Sequence, residues 1–215
     1  KTGTITQNKM TVQRIWVPGR TLNVSGSGYR AQGAVEENGR PVQAARDAAL
    51  GRLCEAASLC TTAHITRAKD GYCVRGEPPE VAVLVAAAKA GVTKEALLQQ
   101  YTVTGENPFD AARKRMSVTV SGPGGARLLC KGAPDMLLAR CTHIATPAGP
   151  RLLAPRDRAD INAACARMAG EALRVLGFAE SSTPAAGEEK LCFLGLMGML
   201  DPPRPEVRPA VQRCR

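Results

Sequence analysis

The chain has 215 residues, with 29 Lys and Arg against 19 Asp and Glu, giving a formal net charge of +10. That length can form one large domain or two small ones with a proper core, and no apolar run approaches the ~18 residues that a membrane helix needs. The positive balance points to an anionic partner such as nucleic acid, an anionic membrane surface or a nucleoside phosphate. With one Trp, three Tyr and three Phe, and Arg scattered among Ala, Gly and Pro, the stacking platforms and basic blocks of a nucleic-acid binder are missing, which makes that the weaker reading. The sequence starts at Lys1 without an apolar signal region and reads as a piece of something longer. The eight Cys have no C-x-x-C spacing, and His64 and His143 stand apart, so no metal site is expected and a reducing, cytoplasmic setting is.

In chain order, Met10 to Val17 alternates as a strand, Pro18-Gly19 is a turn signal, and Thr21 to Val24 is a second short strand. Ser25-Gly26-Ser27-Gly28-Tyr29 lacks the lysine of a phosphate loop and no clear helix follows it, so it is read as a flexible turn. Asn38-Gly39 is another turn. From Gln43 to Thr61, Leu50, Leu53, Cys54, Ala57 and Cys60 recur at helical spacing. Tyr72 to Arg75 is a strand candidate, and Gly76-Glu77-Pro78-Pro79-Glu80 opens a second helix with acids in its first turn. Val81, Leu84, Val85 and Ala88 form its expected buried face, Gly91 ends it, and a short helix covers Thr93 to Gln99.

The stretch from Asn107 to Val120 carries the chemistry. It places a lone aromatic, Phe109, before the cationic triplet Arg113-Lys114-Arg115, which runs into alternating Val118 and Val120. A ring and a fixed cation at the lip of a strand suit a base that carries phosphates; the plain alternative is a hairpin with a basic solvent face. After the turn Gly122 to Gly125, Leu128 to Cys130 pairs back, so Phe109 and Lys131 are expected on one side of one sheet. Lys131-Gly132-Ala133-Pro134-Asp135 breaks that strand, and Met136 to Arg140 starts a helix. Thr146 to Pro155 reads as an exposed loop. Ile161, Cys165, Met168 and Ala172 mark an amphipathic helix, and Leu191 to Leu200 is an apolar strand stopped by Asp201-Pro202-Pro203-Arg204. The order of elements predicts α+β with a mainly antiparallel sheet flanked by helices.

Taken together, Lys1-Thr2-Gly3-Thr4-Ile5-Thr6, Asn107 to Val118, Lys131 to Asp135 and Met199 to Arg204 resemble four segments of the P-type cation-transporting ATPases, in the family's order. The branch they resemble is the calcium and sodium/potassium pump type (type II), bacterial in character. The first segment is similar to the phosphorylation motif without its aspartate, with Thr2 beside the missing residue. The resemblance implies a nucleotide-binding domain at 10–200 between two stubs of a phosphorylation domain, 1–9 and 201–215, with Asp201 and Arg204 serving the second hinge. It implies that Phe109 stacks on adenine, Glu80 accepts from the adenine amino group, Lys114, Lys131 and Gly132 border the pocket, and Arg174 reaches the phosphates. As plain alternatives, Phe109 is core, Glu80 a first-turn helix acid, and Arg174 a partner of a helix C-terminus. ATP or ADP and Mg²⁺ would be the ligands, and the phosphorylation, actuator and transmembrane domains of the same pump the partners, with no nucleic acid and a monomeric fragment. The pump would be an integral protein of the plasma or inner membrane, this domain lying in the cytoplasm. The fragment would bind nucleotide and turn over nothing. A basic nucleic-acid-binding domain and a soluble regulatory nucleotide module are the rival readings. Against the family pattern, Pro79 replaces a common hydroxyl residue, Ala111 and Ala112 replace polar ones, and Asp135 replaces Glu.

Overall fold

The structure, a computed structural model, describes residues 4–29, 31–68, 71–204 and 206–213. The first strands, β1 (Thr11–Val17) and β2 (Arg20–Val24), are rich in β-branched and aromatic side chains and are joined through Pro18-Gly19. Gly19 takes φ +90°, the value that the third position of such a turn needs after Pro. β3 (Val35–Glu37) and β4 (Arg40–Pro41) form a hairpin on Asn38-Gly39, both at positive φ, as a primed two-residue turn requires. The Ser25 to Tyr29 turn is held rather than loose. The buried ammonium of Lys89 donates to the carbonyls of Ser25 (2.7 Å) and Gly26 (3.1 Å).

Helix α1 (Ala48–Leu59) starts later than its apolar spacing suggests, because the Asp47 side chain accepts from the Leu50 amide at 3.0 Å and caps it there. Leu50, Leu53, Cys54 and Ala57 are fully buried, as expected. A separate hairpin of β5 (His64–Ala68) and β6 (Gly71–Arg75) follows, of which only the second strand is evident from sequence. Helix α2 (Pro78–Lys89) begins with two prolines, whose missing amides cost nothing in a first turn. It is buried on more than the expected face: Ala82, Val83, Ala86 and Ala87 pack on the main sheet, while Val81, Leu84 and Val85 pack towards the β5–β6 hairpin. The short α3 (Lys94–Leu98), capped by Thr93, leads into the central stretch.

That stretch forms three antiparallel strands, β7 (Thr102–Asp110), β8 (Arg115–Gly122) and β9 (Gly125–Gly132). After α4 (Pro134–Leu138) comes a hairpin of β10 (Cys141–Thr146) and β11 (Gly149–Leu152), turned by Gly149 at φ +112°, so the segment expected as a loop from Thr146 to Pro155 includes the second strand. The helix α5 (Pro155–Gly170) buries Ile161, Ala164 and Met168. Ala172, expected on its apolar face, instead lies beyond its end at φ +57°. β12 (Arg174–Ser181), β13 (Leu191–Leu200) and α6 (Val207–Arg213) complete the order.

The main sheet runs β4-β3-β2-β1-β13-β12-β9-β8-β7, antiparallel throughout except where β10 lies parallel to the start of β13. α1 and α2 cover one face over a core that includes Phe178, Met116 and Val118; α4 and α5 cover the other over Phe193, Ile161 and Leu137. The fold is therefore α+β with a mainly antiparallel sheet. Among the described residues no helix is long and apolar enough to cross a membrane. At one end two backbone segments lie side by side. Thr6 bridges Pro203, Gln7 N donates to Pro202 O at 3.0 Å, Arg204 N donates to Ile5 O at 2.8 Å, and Lys9 N donates to Asp201 Oδ1 at 3.1 Å.

Candidate functional site

A cleft of about 490 Å³ opens where the start of α2, the β7–β8 turn, the end of β9 and the start of β12 meet. Glu80, Phe109, Lys114, Lys131, Gly132 and Arg174 all line it. These residues come from separate stretches of the sequence; the pairing β7-β8-β9-β12 gathers those of the sheet, and the start of α2 adds Glu80. Thr2 lies outside the described residues.

Phe109 is exposed by a defect in pairing. Asn107 faces Ser117 and Asp110 faces Arg115, so Pro108 and Phe109 oppose the single residue Met116. Such a bulge bends the strand and re-aims a side chain, and here the ring is 64 % exposed. Phe109 is thus not core. Met116 is buried, pairs with Lys131, and forms part of the cleft floor. Its role escaped the sequence reading although its alternation with Val118 and Val120 marks it as inward-facing.

The turn that follows is built by Asp110, whose Oδ1 accepts from Ala112 N (3.0 Å) and Arg113 N (2.8 Å) while its carbonyl accepts from Lys114 N (2.7 Å). Lys114 ends it at φ +52° and is exposed. Its carbonyl accepts from Ala133 N at 2.9 Å, which brings the end of β9 against the turn. Gly132 is required there for space, since a Cβ would lie 2.5 Å from the Lys114 carbonyl oxygen. The triplet does not act as one cationic patch. The pleat sends Arg115 to the opposite face from Met116, and Arg113 turns the same way to meet Glu188, leaving Lys114 alone at the cleft. Ala111 and Ala112 sit in the exposed turn and do not line the cleft.

Glu80 stands in the first turn of α2, but its side chain does not cap the helix. Lys131 pairs with Oε1, and the Thr62 hydroxyl donates to Oε2 at 2.6 Å. Both oxygens are therefore engaged, a pairing the sequence did not announce, though each keeps a second acceptor direction. Burial works against the Glu80 charge, but Lys131 and Thr62 outweigh it and hold the carboxyl below its ordinary range. A carboxyl with a lowered folded pKa contributes stability that is complete above the unfolded value of ~4.3 and is lost as pH falls through the folded one. Urea midpoints followed from about pH 6 down to about pH 3 should therefore fall more steeply for the wild type than for Glu80→Gln. Parallel profiles would contradict this account of the pair.

Arg174 opens β12, paired with Met199, after α5 has ended at Gly170, so it is a strand residue rather than a partner of that helix end. Among the described residues neither Arg174 nor Lys114 has an ion-pair partner, whereas Lys131 is neutralised by Glu80. The unpaired positive charge therefore lies at the mouth and the paired charge at the floor. Seven further arginines, Arg20, Arg52, Arg113, Arg115, Arg127, Arg140 and Arg151, meet carboxylates elsewhere, which leaves the net positive charge unchanged. No group of His, Cys, Asp and Glu among the described residues is placed to hold a metal ion.

The cleft of this α+β domain thus combines an exposed ring, a floor of Met116 beside a buried ion pair, and two cations without ion-pair partners among the described residues. The chain belongs to the P-type ATPases: residues 49–206 match the family model described as the P-type ATPase cytoplasmic domain N. Over its full length it is 37 % identical to a calcium-transporting ATPase of Bacillus subtilis, of which it covers 25 %. It is 34 % identical to the cation-transporting ATPase pma1 of a Synechocystis, again over its whole length and 25 % of the relative. A sodium/potassium exporting P-type ATPase, cta3 of Schizosaccharomyces pombe, is 32 % identical over the whole chain and 23 % of its own length. These are the calcium and sodium/potassium types that the sequence motifs resemble, with bacterial pumps among them, and the chain spans about a quarter of each.

Proposed function

We propose that this is the ATP-binding domain of a membrane cation pump, holding ATP in the cleft by its base while its phosphates point outward. The observation that carries the reading is the exposed Phe109 ring on the same cleft as the unpaired Lys114 and Arg174. The ring stacks on adenine, and Met116, Val175 and Leu176 supply apolar wall. Lys114 gives a point charge and Arg174 a planar fork for phosphate oxygens. Glu80, already bonded to Lys131, uses a remaining lone pair to accept from the adenine amino group. Pro79 lines the cleft beside it without a donor. The volume of about 490 Å³ lies within the range of small-molecule sites.

In the whole pump the γ-phosphoryl group passes to an aspartate carboxylate of the phosphorylation domain and ADP leaves. Mg²⁺, held with that domain, would neutralise the charge on the phosphates. The contribution of this chain is positioning, because domain closure makes the encounter an intramolecular one. Residues 1–9 and 201–215 act as the two hinge segments, with Asp201 and Arg204 joining them. The partners are then the phosphorylation, actuator and transmembrane domains of the same pump, and the domain lies on the cytoplasmic side.

An NMR titration of the chain with ATP tests this reading. Amide shifts should cluster at Glu80, Phe109, Lys114, Gly132 and Arg174, persist with ADP, and be accompanied by no phosphorylation of the isolated chain. Shifts scattered over the sheet, or a response to oligonucleotides that falls steeply with salt, would sink it.

A further inference from the structure

On the side of the sheet away from the cleft, Glu188 lies in the connection between β12 and β13. Its side chain is only 10 % exposed although it belongs to no regular element. Arg113 Nη1 donates to both of its oxygens (2.7 and 2.8 Å) and Arg115 Nε to Oε2 (2.6 Å). Ser117 Oγ donates to Oε1 at 2.8 Å, and Asn107 Nδ2 reaches the same oxygen at 3.3 Å. Burial opposes the charge, but the Arg113, Ser117 and Arg115 contacts prevail and hold this carboxyl below its ordinary range.

The two arginines pass this anchorage on. Arg113 Nη2 donates to Pro108 O at 2.6 Å and to Asn107 Oδ1 at 3.0 Å, and Arg115 Nη1 donates to Arg113 O at 3.1 Å. The Pro108 carbonyl belongs to the peptide group that leads into Phe109, and the Arg113 carbonyl to the one that leads into Lys114. Both stand at irregular points of the backbone, the bulge in β7 and the left-handed Lys114. Conformations of that kind persist only where surrounding contacts over-determine them.

We infer that Glu188 is a positioning residue for the cleft: through Arg113 and Arg115 it fixes the peptide groups that carry Phe109 and Lys114, and so sets the spacing between ring and cation on the opposite face. It touches no ligand itself. The inference rests on the reading of the cleft as an ATP site, and it explains why two of the three cations beside Phe109 face away from that site.

The test compares the 215-residue chain with E188A and E188Q, adding Phe109→Ala and the E188A/Phe109→Ala double variant. In ligand-free protein, the Ala112, Arg113 and Lys114 amides should exchange at least about tenfold faster in E188A, since each tenfold corresponds to about 1.4 kcal/mol of lost local protection. ATP binding should weaken about tenfold in E188A and less in E188Q, which keeps one acceptor oxygen. The loss caused by E188A should shrink in the Phe109→Ala background, because the ring that Glu188 positions is gone. Full additivity of the two losses would show that Glu188 acts elsewhere and would overturn the inference. So would unchanged exchange at the three turn amides. If the wild type binds no ATP, the reading of the cleft fails while amide exchange still judges the positioning. If E188A does not fold, E188Q carries the same comparisons.

Discussion

Phe109→Ala should weaken ATP binding by about ten- to a hundredfold while leaving the fold intact. Stacking of a base on an aromatic side chain is worth about 1–3 kcal/mol, and each 1.4 kcal/mol is a factor of ten in affinity. The ring is 64 % exposed and packs in no core cluster, so its removal forfeits little apolar burial. A thermal midpoint close to that of the wild type, with a raised dissociation constant by calorimetry, is the expected pair of results. Inorganic tripolyphosphate, which has no base, should bind the variant and the wild type alike. An equal loss for tripolyphosphate would mean that the ring shapes the site instead of stacking on the guest.

Lys131→Met should act in the opposite manner, costing stability first. The ammonium is buried at the floor of the cleft and is the cation that pairs with Glu80, whose other oxygen is held by Thr62. Removing one member of a buried pair strands the other charge, which typically costs about 3–5 kcal/mol; the opening of the cleft to water places this case near the lower figure. Glu80 should then titrate upward, because burial remains and the opposing charge does not. Replacing both partners, Glu80→Met with Lys131→Met, should recover most of the loss by removing the stranded carboxylate along with its partner. Urea denaturation of the wild type and the two variants measures this directly. A double variant as unstable as the single one would show that the floor is held by something other than the ion pair.

What could be read beforehand follows the range of the interactions. The pleat of β8 was legible because Val118 and Val120 alternate with polar residues, and the helices α1 and α2 because apolar side chains recur at helical spacing. The Asn38-Gly39 hairpin was visible as a turn for the same local reason, its backbone preference being carried by the two residues themselves. By contrast, the glycine and proline of β11 read as a loop; its strand character depends on pairing with β10, which itself lies against β13, far away in sequence. The Glu80–Lys131 pair and the Glu188 clamp join segments separated by dozens of residues. Neither has any local periodicity that could announce it. The cluster of cationic residues after Phe109 was visible, but its division between two faces depends on strand register and on an acid in a distant connection.

The paired segments around Thr6 and Pro203 carry a mechanical consequence. Hydrogen bonds tie the two backbones together around a single bridge, so under the proposed hinge reading they would bend as one link and not as two independent strands. The sheet and its cleft would then travel together on a guided path, and a guest seated beside Phe109 would arrive with its orientation preserved.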